Sequence, residues 1–155
     1  MTGRDLTIDH EIVIDAPAEV VWATITEPEQ ISLWFADRVA LDLRPGGEGT
    51  FAFEGQATAE PMSVPLVVDA VEPPHRFAFR WVQPEGETPE KGNSVLVEFT
   101  LVADGDERTR LRVTETELAD LPWSDDDKAA YVDEHNEGWS KHLGRLAGVL
   151  GPSVG

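Results

Sequence analysis

The chain changes its hydrophobic period twice. From Leu6 to Ile14, "LTIDHEIVI", apolar and polar residues alternate and branched side chains dominate, which predicts a strand. From Asp15 the spacing becomes helical. Pro17 suits a first turn, where a missing N–H costs nothing, and Ala18–Trp22 and Val21–Ile25 are pairs four apart. "TEPEQISLWF" restarts the pattern: Thr26 and Glu29 have capping-box spacing, Pro28 again suits a first turn, and Ile31, Trp34 and Phe35 form one stripe. Two short helices are therefore expected after the first strand.

Period two then returns and holds for roughly 80 residues. "VALDL" and "TFAFEG" flank the glycine-rich "RPGGEG"; "SVPLVVDAV" and "RFAFRWV" flank Pro73-Pro74; "SVLVEFTLVA" and "TRLRVTETEL" flank Asp104-Gly105-Asp106. Each pair reads as a hairpin with turn residues where positive φ or a fixed bend is wanted. Pro65 inside its strand predicts an edge or a bulge. The polar, Pro/Gly-rich loop Gln83–Asn93 is expected to be mobile.

The last segment is one long helix. Ser124 and Asp127 have capping-box spacing, and Asp125, Asp126 and Asp127 favour the positive end of its dipole, so the three aspartates read as a cap and not as a metal site. Val132, Trp139, Leu143, Leu146 and Leu150 recur on one apolar face. The order predicts an α+β grip: a curved antiparallel sheet of about six to seven strands wrapped around the C-terminal helix. One domain is expected to span residues 1–155, a length that buries about two-thirds of the chain's surface.

Alternation also assigns faces. Phe77, Phe79 and Trp81 point one way and Arg76 and Arg80 the other; Val95, Val97, Phe99 and Leu101 align, as do Leu111 and Val113 opposite Arg110 and Arg112. Outward arginines beside Glu98 predict cross-strand ion pairs. Phe51 and Phe53 add to the inner set. So many large aromatics on one face either fill the core or line a ligand cavity. Three polar groups share inward phases: His10 with Ile8 and Ile12, Glu115 with Leu111 and Val113, and His135 one turn before Trp139, next to Asn136. Buried polar groups ask for partners, water or a ligand. The candidate lining is therefore His10, Trp34, Phe51, Phe53, Phe77, Phe79, Trp81, Val97, Phe99, Val113, Glu115, His135, Trp139 and Leu143.

Net charge is −18, from 30 acidic and 12 basic residues, which argues against nucleic acid and anionic lipid as partners. With no cysteine, disulfides, thiolate metal sites and cysteine nucleophiles are excluded, and a cytoplasmic location is expected. The N-terminus does not read as a secretory signal and no stretch is long and apolar enough to span a bilayer. His135 and His142 lie seven apart, too far for a zinc pair on one helix turn, and neither a phosphate-cradling loop nor a nucleophile elbow occurs. No metal or cofactor is expected. Glu115 with His10 or His135 makes an acid–base pair only if the fold joins them.

The stretches "IDAPAEVVWATITEPEQISLWF", "RPGGEGTFAF", "VVDAVEPPHRFAFRW", "VEFTLVADGDERTRLRVTETEL" and "HNEGWSKHLGRLAGVL" cover nearly the whole chain. In that order they resemble the START-like (SRPBCC, helix-grip) superfamily, in the branch named after the activator of heat-shock-protein-90 ATPase. The resemblance implies a helix-grip fold and an apolar cavity holding lipids, polyketides or other small hydrophobic molecules; some relatives are cyclases or dehydratases. It implies packing roles for Gly138, which lets the helix approach a neighbour, and Trp139, which anchors it to the sheet, and it carries over no catalytic residue. This chain departs from the pattern with Trp34-Phe35 where relatives often have two tryptophans, and with Pro61 and Pro65 where glycine is usual. The eukaryotic activator has a further N-terminal domain for which 155 residues leave no room. The leading expectation is non-covalent binding of a small hydrophobic, lipid-like or aromatic molecule under the long helix. The alternatives are a cavity enzyme (cyclase, dehydratase or hydrolase) using an inward His/Glu pair, and a stress-response or co-chaperone-like module meeting a protein partner or a second copy of itself.

Overall fold

A computed structural model of the chain describes residues 6–53, 62–81, 87–90 and 92–150. The elements run β1 (Ile8–Ile14), α1 (Ala18–Thr26), α2 (Pro28–Ile31), β2 (Arg38–Leu41), β3 (Glu48–Phe53), β4 (Met62–Glu72), β5 (Arg76–Trp81), β6 (Val95–Ala103), β7 (Thr109–Thr116), a 3-10 turn (Leu118–Asp120) and α3 (Asp125–Val149). Among the described residues seven strands form one antiparallel sheet in the order β1-β7-β6-β5-β4-β3-β2. The α+β layout and both short helices are as expected. The loop Gln83–Asn93 falls partly outside the described residues, and so does the mobility expected of it.

Turn chemistry sets the hairpins. Gly46 and Gly105 sit at φ 85° and 86°, the left-handed region that glycine reaches without steric cost. Two local expectations are corrected. Thr26 does not cap α2: its hydroxyl donates to the Trp22 carbonyl at 2.7 Å, which closes α1, and Glu27 takes the N-cap position. Pro65 is on an interior strand, paired with Thr50 of β3 in unbroken register, and the irregularity of β4 lies at Val68–Ala70 instead. A proline removes only its own N–H from the ladder, and this strand keeps its other bonds.

The long helix starts as predicted, with Ser124 Oγ accepting from the Asp127 N–H at 3.1 Å and three aspartates in the first turn. Its buried face is Val132, Trp139, Leu143 and Leu146, joined by Tyr131. No described helix is long and apolar enough to cross a membrane. On the sheet's other face Arg76 pairs with Glu98 as expected, Arg80 with Glu117 at 3.0 Å, and Arg112 with Asp9 at 2.5 Å. Such pairs are worth about 0–1 kcal/mol each where water reaches them.

The layers do not close evenly. The backbone of α3 runs close to β1, α1 packs by β6 and α2 by β2. Away from β1, the helix meets the sheet through long side chains, and that is where the inward aromatics lie.

Candidate functional site

Register places Glu115 of β7 between Ile8 of β1 and Val97 of β6, on the inward phase of Leu111 and Val113. Its carboxylate is 1% exposed. One oxygen accepts from Trp81 Nε1 at 3.3 Å and from the Tyr131 hydroxyl; the other accepts from His135 Nδ1 at 2.8 Å and from Trp139 Nε1 at 2.5 Å. Tyr131, His135 and Trp139 are four residues apart on one face of α3, so three of the four donors come from the helix and one from β5. A carboxylate offers about four acceptor positions, and all are taken. An unpaired buried charge costs several kcal/mol, whereas this one is matched donor for lone pair and fastens α3 to the sheet. Burial, and then the charge of Glu115, raise the Tyr131 hydroxyl well above its usual pKa, which keeps it a donor.

His135 is the member that reaches the surface. Its side chain is 26% exposed, against 9% for Tyr131, 5% for Trp81 and 2% for Trp139. Its ring stacks on Tyr131 with centroids 3.7 Å apart and meets Trp81 edge-on at 6.0 Å. Because a carboxylate only accepts, Nδ1 carries a proton, and in the neutral ring Nε2 is then the acceptor. Among the described residues nothing bonds to that nitrogen.

The other two inward histidines divide. His10 on β1 donates from Nε2 to Asn136 Oδ1 at 2.9 Å, so it belongs to the seam between β1 and α3 and does not join Glu115. His142 donates from Nδ1 to the Trp34 carbonyl at 3.3 Å and lies 4.7 Å, centroid to centroid, from Phe35. Burial lowers its pKa below the ordinary 6.5, with Arg145, His135 and Lys141 acting in the same direction. In the unfolded chain the group therefore binds its proton more readily than in the fold. Stability is held above pH about 6.5 and falls as pH drops from there towards the lowered value. His142→Gln is expected to lose less stability between pH 7 and pH 5 than the parent chain, as read by urea denaturation at each pH.

Trp34, Phe51, Phe77, Phe79, Trp81, Val97, Phe99, Val113, Trp139 and Leu143 are all buried, as their phases predict. The side chain of Phe53 is outside the described residues. Phe77 and Phe99 stack at 6.0 Å, Phe79 meets Trp81 at 5.2 Å, and Phe99 meets Trp139 at 5.7 Å. Trp34 turns its indole N–H to the Thr24 carbonyl at 2.9 Å, which removes that group from any ligand. Two participants escaped sequence reasoning. Phe35 stacks on Trp139 at 5.4 Å and contacts Phe51, Trp81 and His142; its place in the α2 stripe was visible, its reach was not. Tyr131 was legible as the residue one turn before His135, but it falls beside the aliphatic stripe.

Gly138 is a correction. A Cβ built there meets no described atom within 4 Å, so the glycine does not serve a close approach of the helix. Gly138→Ala is expected to stabilise the chain by up to about 1 kcal/mol through helix propensity. A melting temperature higher by roughly 2–4 °C would register it.

Residues 15–151 match the family model described as Activator of Hsp90 ATPase homolog 1-like protein. CalU16 from Micromonospora echinospora is 27% identical, with TM-score 0.65 over 94% of this chain and 76% of that one. DynU16, described as a putative protein in the dynemicin biosynthetic locus, is 26% identical with TM-score 0.73 over 95% of this chain; the match spans 48% of that longer chain. The Aha1 dimer from Colwellia psychrerythraea shares the fold at 19% identity, with TM-score 0.71 over 93% of this chain and 95% of that one. No match is found among curated proteins.

Proposed function

This chain belongs to the Activator of Hsp90 ATPase homolog 1-like family, and on that premise we propose that it binds a small hydrophobic molecule between the sheet and α3. The observation that supports the reading is the uneven layer. The helix is close to β1 and stands off elsewhere, and the intervening space holds aromatic rings with one polar cluster at their edge. Ligand sites share that composition, mostly apolar with a few placed polar groups. Because the rings already touch one another, the ligand lodges against them where His135 reaches the surface.

Native mass spectrometry of gently purified protein, compared with the denatured chain, tests this. A stoichiometric excess mass that leaves on denaturation is expected, and folded Phe79→Ala and Trp139→Ala variants should retain less of it. Equal retention by both variants contradicts the reading.

The 2.8 Å bond between His135 and Glu115 supports a second reading, acid–base chemistry at His135 Nε2 with Glu115 holding the ring. With its four acceptor positions filled, Glu115 orients the imidazole and takes no proton from substrate. Full turnover of a captured substrate by His135→Ala would remove this reading.

A further inference from the structure

Three residues of α3 share a face beside the aromatic layer: His135, Gly138 and His142. The two imidazoles are seven residues apart, about 10 Å along the axis at roughly 1.5 Å per residue. At Gly138 the helix carries no side chain, and outside the helix's own backbone no described atom lies within 4 Å of where a Cβ would stand; Trp139 flanks this position and reaches His142 ring to ring at 6.2 Å. The sheet side of this stretch is aromatic, with Trp81 edge-on to His135 and Phe35 against His142.

Both imidazoles are held the same way round. His135 gives its Nδ1 proton to Glu115 and His142 gives its own to the Trp34 carbonyl. In its neutral form each ring therefore turns an acceptor nitrogen away from its anchor, and among the described residues neither Nε2 has a hydrogen-bond partner. A hydroxyl completes such a site, whereas an ether offers no proton. A carboxylate would set acceptor against acceptor, with the buried Glu115 adding like charge. Burial further favours the uncharged form of His142.

Resting on the ligand-binding reading above, we propose that the strip of α3 running from His135 over Gly138 to His142 is the polar wall of the site and selects a neutral aromatic molecule with two hydroxyl groups, one donating to each Nε2. The aromatic body lies over Gly138 against Phe35 and Trp81. Specificity thus comes from donors on the ligand, since the protein contributes acceptors.

The test uses three rigid two-ring probes: biphenyl with a hydroxyl at each para position, its dimethyl ether, and the corresponding dicarboxylate. Each is titrated against the full chain by tryptophan fluorescence. The diol is expected to bind about tenfold or more tighter than the ether, from two hydrogen bonds, and the dicarboxylate weakest. His135→Phe and His142→Phe keep an aromatic ring without the acceptor, and each should cut the preference of diol over ether severalfold. Gly138→Leu should weaken diol and ether alike, with an unchanged circular dichroism spectrum showing that the helix is intact. Equal binding of diol and ether, or tighter binding of the dicarboxylate, overturns this proposal and leaves the hydrophobic-ligand reading standing. Failure of all three to bind overturns both. An unchanged preference in both histidine variants overturns the assignment of the two acceptors even if Gly138→Leu behaves as expected.

Discussion

Glu115→Ala is expected to lower the unfolding free energy by about 3–5 kcal/mol, as removal of one side of a buried charged network does. The change orphans two indole N–H groups, a phenolic hydroxyl and the Nδ1 proton of His135, and only the last has ready access to water. Each buried donor left without an acceptor costs about 1–3 kcal/mol, less what relaxation and water recover. Glu115→Gln is the sharper control. It keeps the volume and one acceptor oxygen but turns an NH2 towards two donors, for an expected loss of about 2–3 kcal/mol. Urea denaturation with linear extrapolation reads both. A loss under 1 kcal/mol in the alanine variant would mean that the carboxylate does not fasten α3 to the sheet.

Trp139 is the second position of large effect. It is 2% exposed, stacks on Phe35, meets Phe99 edge-on and donates to Glu115, so alanine there removes packing and a hydrogen bond together. The expected cost is about 3–5 kcal/mol. Trp139→Phe retains most of the ring contact and loses the N–H, for about 1–2 kcal/mol. The pair of variants thus separates packing from the polar tie. Coupling should appear as well: Glu115→Ala and Trp139→Ala combined should destabilise by less than their separate costs summed, because the second change removes a donor the first has already orphaned. Simple additivity would place Trp139 outside the cluster.

The fold was legible because its signals are periodic. Alternation in "RFAFRW" and "VLVEFTLV" fixed which side of the sheet Phe77, Phe79, Trp81, Val97 and Phe99 occupy, and the Ser124 cap marked where α3 begins. Long-range chemistry was legible only in part. Parity put Glu115 inside, and helical spacing put His135 near Trp139, yet neither says that the two elements meet. The register of β7 against β1 and the helix's approach to β1 decide that Glu115 accepts from His135 while His10 donates to Asn136. Tyr131 was missed because a phenol beside a stripe of Val132, Leu143 and Leu146 looks like a boundary residue until its hydroxyl has an acceptor. Gly138 was misread because glycine in a helix fits close packing and an unfilled gap equally well, and only the surrounding atoms distinguish them.

The five indole N–H groups report on the central claim that a small hydrophobic molecule lodges between the sheet and α3. Nitrogen-15-labelled protein titrated with a naphthol, followed through its indole N–H resonances, is the most direct measurement. Saturable shifts at Trp81 and Trp139, with Trp22 on α1 unmoved, are expected. Shifts confined to Trp22, or none at any indole, would contradict the account.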